Sequence, residues 1–250
     1  MKDRDLEKKL DSVQSRLYES QRVVVLTGAG ISAESGMPTF RGKDGLWRRY
    51  RAEELATPEA FARDSKLVWE FYNWRRTLLQ PLRPNPAHLA LAQLERQIPQ
   101  FTLITQNIDD LHRLAGSKNI LELHGNIWRV RCTKCGKITE DRRVPLPELP
   151  LCSECQGLLR PDVVWFGESL DPEILRKAYQ ALDSCQMMLV IGTSGIVQPA
   201  ASMGLHAKQA GAYVVEINLE PTPNSRFFDV SLLGKAGELV PRLVKSAENL

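Results

Sequence analysis

Four of the five cysteines fall into two Cys-x-x-Cys pairs, Cys132/Cys135 and Cys152/Cys155, with sixteen residues between the pairs. That is the two-knuckle spacing of a tetrahedral zinc site. Four thiolates fill the ion's shell, so the expectation is one structural Zn2+ and not a Lewis acid with a position open to water. A nucleic-acid-binding ribbon and a redox dithiol pair are the competing chemistries. Lys134, Lys137, Arg142 and Arg143 supply positive charge, but no aromatic residues interleave with them to stack on bases, so no specific nucleic-acid partner is expected. Cys185 stands apart and reads as a buried apolar residue.

A second chemical stretch is residues 28–47, GAGISAESGMPTFRGKDGLW, which follows the apolar run Val23, Val24, Val25, Leu26. Gly28 and Gly30 permit a tight turn whose backbone N–H groups can face a pyrophosphate at a helix N-terminus. The spacing departs from the usual dinucleotide fingerprint: after Gly28 and Gly30 the next glycine is Gly36, and Ser32, Glu34 and Ser35 place polar groups in the turn. A plain dehydrogenase loop therefore fits poorly, and a ligand-free strand-to-helix turn is the alternative.

Of the four histidines, His124 is the one set between a strand end and a glycine. An imidazole with a pKa near 6.5 accepts a proton at neutral pH, which makes His124 the general-base candidate. His88, His112 and His206 fall in or beside helical segments and read as structural, hydrogen-bonded or solvated. Gln106, Asn107 and Asp109 offer two amides and a carboxylate at a strand end, suited to gripping a ribose and a carboxamide. Capping of the next turn by Asp109 or Asp110 is the simpler alternative. Thr193 and Ser194, and then Asn218 with Glu220, end two further strands. Tyr72 and Arg75, three residues apart, share a helical face and can form a carboxylate clamp. The alternative has Tyr72 in an aromatic core with Trp69 and Phe71, and Arg75 as a solvated charge.

The elements that must position these groups follow from the apolar pattern. Leu6, Leu10, Val13 and Leu17 predict an amphipathic N-terminal helix. Buried strands are predicted at residues 23–26, 101–105 and 187–191, with a short strand at 120–123 and another strand at 213–217. Helices are predicted from Thr57-Pro58, from Asp64-Ser65, over 85–97 from Asn85-Pro86, and at about 172–182 and 200–209. Apolar strands alternating with helices predict an α/β protein with a Rossmann-like, doubly wound parallel sheet, in which ligands gather at the carboxyl ends of the strands. Residues 1–42, 85–126 and 163–250 are assigned to that domain. A helical insertion (43–84) and a zinc-binding insertion (127–162) are expected to form a smaller zinc-ribbon plus helical domain, with a cleft between the two.

With 33 basic and 30 acidic residues, the net charge of +3 implies neither nucleic acid nor a membrane surface as partner. No apolar run approaches a membrane span, and the start MKDRDLEKKL is too polar for a signal peptide, so a cytoplasmic location is the expectation. Paired cysteines in a reducing compartment also favour metal over disulfides. Nothing in the sequence sets the oligomeric state.

Taken together, GAGISAESGMPTFRG, TQNIDDLH, LHGN, the paired cysteines, VVWFGE, GTSGIVQPA and INLE resemble the sirtuin family over nearly the whole chain. The resemblance implies an NAD-dependent protein-lysine deacylase that consumes NAD as co-substrate and acts on acyl-lysine proteins or peptides. It implies NAD contacts from Gly28, Ala29, Gly30, Ser32, Glu34, Thr39, Phe40, Arg41 and Trp47. Further NAD contacts are implied from Gln106, Asn107, Ile108, Asp109, Gly192, Thr193, Ser194, Asn218, Leu219, Glu220 and Ala236. His124 and Asn107 take the catalytic roles, and Val164, Phe166 and Gly167 line the extended peptide. In the implied reaction the acyl oxygen attacks the nicotinamide-bearing ribose carbon, nicotinamide leaves, and His124 deprotonates a ribose hydroxyl. Products are nicotinamide, free lysine and O-acyl-ADP-ribose.

Many sirtuins carry aspartate where this chain has Thr39, and Thr39-Phe40-Arg41 resembles the branch that includes desuccinylases. Tyr72-x-x-Arg75 resembles that branch's feature for acidic acyl chains, with Ala33 a small residue near the same pocket. The implied substrates are succinyl-, malonyl- or glutaryl-lysine, with acetyl-lysine weaker. A lysine deacetylase, a protein ADP-ribosyltransferase, a dehydrogenase and a non-catalytic NAD sensor are the rival functions.

Overall fold

The computed structural model describes residues 2–37 and 52–245. Thr39, Phe40, Arg41 and Trp47 lie outside the described residues. The chain runs α1 (Lys2–Glu19), β1 (Arg22–Thr27), a 3-10 turn (Ala29–Ser35), α2 (Ala52–Leu55), α3 (Pro58–Arg63), α4 (Ser65–Leu79), α5 (Pro86–Gln97), β2 (Gln100–Thr105), α6 (Leu111–Leu114) and β3 (Ile120–Glu122). It continues through β4 (Gly125–Cys132), β5 (Ile138–Glu140), β6 (Leu159–Val163), α7 (Pro172–Ser184), β7 (Met187–Ile191), α8 (Ala200–Gln209), β8 (Tyr213–Asn218), β9 (Val230–Leu233) and α9 (Ala236–Leu243).

Helix starts follow local chemistry. Thr57 accepts from Ala60 N at 3.0 Å, Asp64 from Leu67 N at 3.0 Å, and Asp171 from Glu173 N at 2.8 Å. Asn85 and His88 close a capping box around Pro86.

Six strands form one parallel sheet in the order β3-β2-β1-β7-β8-β9. Alternate strand residues serve opposite faces. Val23, Val25, Leu103, Leu189 and Val215 meet α1, α5 and α9, whereas Val24, Leu26, Ile104, Met188 and Val214 meet α7 and α8. Burial of Leu10, Val13 and Leu17 on the first face bears out the amphipathic reading of α1. The sheet extends beyond the five predicted strands: β9 and α9 follow Glu220, and α9 packs on α1 and α5.

A second sheet, antiparallel in the order β5-β4-β6, shares a core with α4. Trp69 Nε1 donates to Leu159 O at 2.9 Å, and the buried Arg76 donates to Ile127 O at 2.7 Å and reaches Asp141 O. Pro161 is accommodated because β6 is an edge strand. Among the described residues, no helix is long and apolar enough to cross a membrane.

The doubly wound sheet reverses between β1 and β7, where ligands of this architecture bind. There Gly28 N donates to Ile191 O at 3.0 Å and Gly30 N to Gly192 O at 2.8 Å. A Cβ on Gly28 or Gly30 would come within 2.8 Å of Gly192 O. One on Gly192, at φ +61°, would lie 2.4 Å from Ile31 N. The sequence explains these glycines by approach to a ligand; in the fold they are first required by each other's backbone. Gly192→Ala should therefore cost roughly 2–5 kcal/mol in urea unfolding, from left-handed strain plus overlap. Gly211→Ala, also left-handed but with nothing within 4 Å of its Cβ, should cost only about 1–2 kcal/mol. Equal costs would contradict the packing argument.

Candidate functional site

The carboxyl ends of β1, β2, β7 and β8 carry a connected set of polar side chains. Ser32, fully buried in the 3-10 turn, donates from Oγ to Asp109 Oδ2 at 2.7 Å. The same Oγ accepts from Asn107 Nδ2 at 3.1 Å, and Asn107 Nδ2 also reaches Gly28 O at 3.1 Å. Asp109 Oδ1 takes the Leu111 N–H at 3.0 Å. The carboxylate thus caps the turn, as its simpler reading held, while its other oxygen enters the Ser32 cluster. Burial raises the Asp109 pKa, and bonds from Leu111 N–H and Ser32 partly oppose it.

Below this cluster lie two buried histidines whose rings are 4.7 Å apart. His88 Nδ1 accepts from Asn85 N at 3.3 Å, so its proton sits on Nε2, which faces Ser32 Oγ at 3.4 Å. His112 Nε2 meets Thr27 Oγ1 at 2.9 Å, and Thr27 Oγ1 donates to Thr105 Oγ1 at 2.9 Å. Burial pushes His88 down to about 4 and His112 well below the usual imidazole value, so both stay neutral. His88 is structural, as expected; His112 is not solvated but sealed beneath the strand ends. His206 is half-buried near the surface and paired with Asp183.

His124 occupies the junction between β3 and β4. Its Nδ1 lies 2.9 Å from Gln106 O, and since a carbonyl only accepts, the proton is on Nδ1 and Nε2 keeps its lone pair. Burial lowers its pKa, with a weaker opposing pull from that carbonyl. The ring is therefore an unprotonated base at neutral pH. Backbone geometry fixes it from both sides: His124 O accepts from Val164 N at 3.0 Å. A Cβ on Gly125, at φ +78°, would sit 2.2 Å from Asp162 O.

Gln106 Nε2 donates to Thr193 Oγ1 at 3.0 Å, and Asn218 Nδ2 to Thr193 O at 2.8 Å. Gly28, Gly30, Ser32, Gln106, Asn107, Asp109, Gly192, Thr193 and Asn218 are thereby brought together. Ala29 and Ser194 flank this group half-buried, and Ile108 O accepts from Ile127 N at 3.0 Å. Leu219 and Glu220 are exposed beyond β8. Glu34 is held elsewhere: its carboxylate accepts from Gly237 N at 2.7 Å, next to the buried Ala236 at the start of α9.

On α4, Tyr72 and Arg75 are both buried, which sets aside the solvated reading of Arg75. Its guanidinium lies over Phe71 at 5.7 Å, and burial lowers its pKa while Tyr72 and Asp109 pull it up. Tyr72 OH accepts from Trp165 Nε1 at 2.8 Å. The following segment places Val164 half-buried and Phe166 and Gly167 exposed, with Phe166 N bonded to Ala56 O at 2.9 Å. Sequence reasoning passed over Thr27, Thr105 and Trp165; the Trp in VVWFGE was the available signal for the last.

The four cysteine Sγ atoms lie within 4.8 Å of one another, with Cys132 to Cys155 at 3.4 Å and Cys135 to Cys152 at 3.8 Å. A tetrahedron of Zn–S bonds of about 2.3 Å has an edge of about 3.8 Å, so the donor set fits one structural zinc.

The sequence model of the Sir2 family matches residues 28–199. An NAD-dependent protein deacylase of Pyrococcus furiosus is 54% identical over 247 residues, covering 96% of this chain and 99% of the relative. One from Aquifex aeolicus is 54% identical over 219 residues, covering 87% and 92%. Among solved structures, a Sir2 homologue in complex with NAD superposes with a TM-score of 0.89 at 51% identity, covering 93% of this chain and 91% of that one. A Sir2 protein bound to an acetylated peptide gives 0.83 at 32% identity, covering 94% and 96%.

The neutral histidine pair makes stability pH-dependent. Above about pH 6.5 neither state binds protons at these rings. Below it the unfolded chain takes up protons that buried His88 refuses until about pH 4, so unfolding free energy falls as pH falls. Each ring contributes at most about 1.4 kcal/mol per pH unit. Urea unfolding of His88→Gln between pH 6 and 5 should show a slope shallower than wild type by roughly 1 kcal/mol per unit. An unchanged slope would mean that His88 is protonated in the fold.

Proposed function

The chain belongs to the Sir2 family and is an NAD-dependent protein deacylase, and from that premise we propose that it acts on lysines carrying succinyl, malonyl or related acidic acyl groups, with acetyl a weaker substrate. One observation carries the acyl preference: Tyr72 and Arg75 are buried together on one face of α4, with Arg75 close enough to Asp109 for each to shift the other's pKa. A buried cation beside a phenol favours an acyl chain ending in a carboxylate, because charge-assisted hydrogen bonds are the stronger kind.

Bound NAD supplies the ribose carbon that accepts the acyl oxygen and the nicotinamide that leaves. Ser32, Asn107 and Asp109 hold the polar cluster expected to meet the nicotinamide ribose and carboxamide. Thr193, Ser194, Asn218 and Glu220 serve the adenosine side, with Ala29, Ile108, Leu219 and Ala236 as neighbouring contacts. Glu34 joins them only by leaving Gly237. His124 Nε2 removes the proton from a ribose hydroxyl. Val164, Phe166 and Gly167 border the substrate peptide, which adds by backbone hydrogen bonds and so with modest sequence selectivity.

The zinc-bearing sheet and α2–α4 form the smaller domain, and the thiolate set agrees with a reducing, cytosolic setting. Removal of acetyl as the main activity is the second reading, favoured by the structural neighbour bound to an acetylated peptide.

Arg75→Met keeps a long apolar stem and removes the fork of donors. The ratio of kcat/KM for succinyl- over acetyl-peptide should exceed one in wild type. It should fall roughly ten- to a hundred-fold in the variant, the worth of a charge-assisted hydrogen bond. A wild type that removes acetyl at least as efficiently, or a variant that loses both activities by one factor, refutes the acidic-acyl assignment.

A further inference from the structure

We propose that Trp165 is a specificity-positioning residue: its indole N–H occupies an acceptor lone pair of the Tyr72 hydroxyl and commits that hydroxyl to donate its proton to the acyl terminus. The inference rests on the reading that Tyr72 and Arg75 meet that terminus, and it assigns the orientation of the pocket to a residue outside the Tyr-x-x-Arg pair.

An indole N–H can only donate, so at 2.8 Å the phenolic oxygen must be the acceptor. Tyr72 is 2% exposed, and among the described residues the hydrogen bond its hydroxyl makes is the one it accepts from Trp165. A buried donor without an acceptor is costly, and an acyl chain ending in an acceptor removes that cost where a methyl terminus leaves it standing. Donation from Trp165 also polarises the hydroxyl, strengthening the bond it gives. Burial pushes the phenol up to about 12, so the proton is retained at neutral pH.

The indole cannot swing away. Phe61 packs on it with ring centroids 5.2 Å apart, and the Arg160 guanidinium carbon lies over the indole at 3.4 Å from a ring centroid. Glu168 accepts from Trp165 N at 2.8 Å while pairing with Arg160 at 2.5 Å. Because Trp165 lies between Val164 and Phe166, the segment that borders the peptide also sets the polarity of the acyl pocket.

The test compares succinyl- with butyryl-lysine in one peptide, equal in chain length but differing in the carboxylate, at saturating NAD with the full chain. Trp165→Phe should lower the succinyl-to-butyryl ratio of kcat/KM roughly three- to ten-fold, mainly through KM, the worth of one neutral hydrogen bond. Tyr72→Phe should lower it at least as much, and the double variant no further. Trp165→3-benzothienylalanine keeps the bicyclic ring without the N–H and should match Trp165→Phe, which keeps the test open if the smaller ring unfolds the chain. Equal losses on both acyl chains, or effects of the two sites that multiply, overturn the inference. If Arg75→Met and Tyr72→Phe abolish the preference while both Trp165 variants keep it, only this inference fails. A wild type without succinyl preference overturns the underlying reading as well.

Discussion

Where β1 and β7 leave the sheet, three glycines close on one another so tightly that no side chain fits among them. Backbone contact of Gly28 and Gly30 with Gly192 folds the first turn down over the switch point, and that turn carries Ser32 into the interior. Once Ser32 is buried it must find partners, and it finds Asp109 and Asn107 from the end of β2. The polar cluster is thus a consequence of the close approach of two strands. Beneath it, Thr27, Thr105, His88 and His112 complete a buried layer in which desolvation keeps both histidines neutral.

His124 depends on a second close approach, that of Gly125 to Asp162, which pairs β4 with β6 inside the antiparallel sheet immediately after the histidine. Charged groups brace this junction. Arg129 pairs with Glu122 at 2.7 Å and with Asp162 at 2.9 Å, while Asn126 donates to Asp110 and Glu122, each at 2.9 Å. Asp110 adopts a left-handed backbone at φ 71° and also takes Arg113 and Arg142. Arg142 belongs to the chain between the two cysteine pairs. Partly buried pairs of this kind add little net stability but are costly to break, so their effect is to hold geometry. The sheet that carries the cysteine cluster thereby fixes the strand that begins next to His124.

Much of this was legible in the sequence because its signals are local. Thr57, Asp64 and Asn85 cap the helices they were expected to start. The apolar runs at β1, β2 and β7 are buried strands, and the cysteine spacing pointed to the cluster that forms. What escaped is either weakly patterned or non-local. VSLL in β9 is a short, half-exposed edge strand, and LRPDV in β6 contains a proline. The Trp165 bond to Tyr72 spans 93 positions, and the mutual requirement of Gly28 and Gly192 is more remote still in sequence. His112 carries no sequence mark of burial; only the crossing of β1, β2 and α5 seals it.

The most direct test of the central claim, that His124 acts as base in an NAD-consuming deacylation, is mass-spectrometric product analysis with NAD and a succinyl-lysine peptide. Nicotinamide, free-lysine peptide and O-succinyl-ADP-ribose should appear in equal amounts, and His124→Ala should abolish turnover while still binding NAD. NADH without nicotinamide, ADP-ribose left on protein, or near-normal turnover by His124→Ala would contradict it.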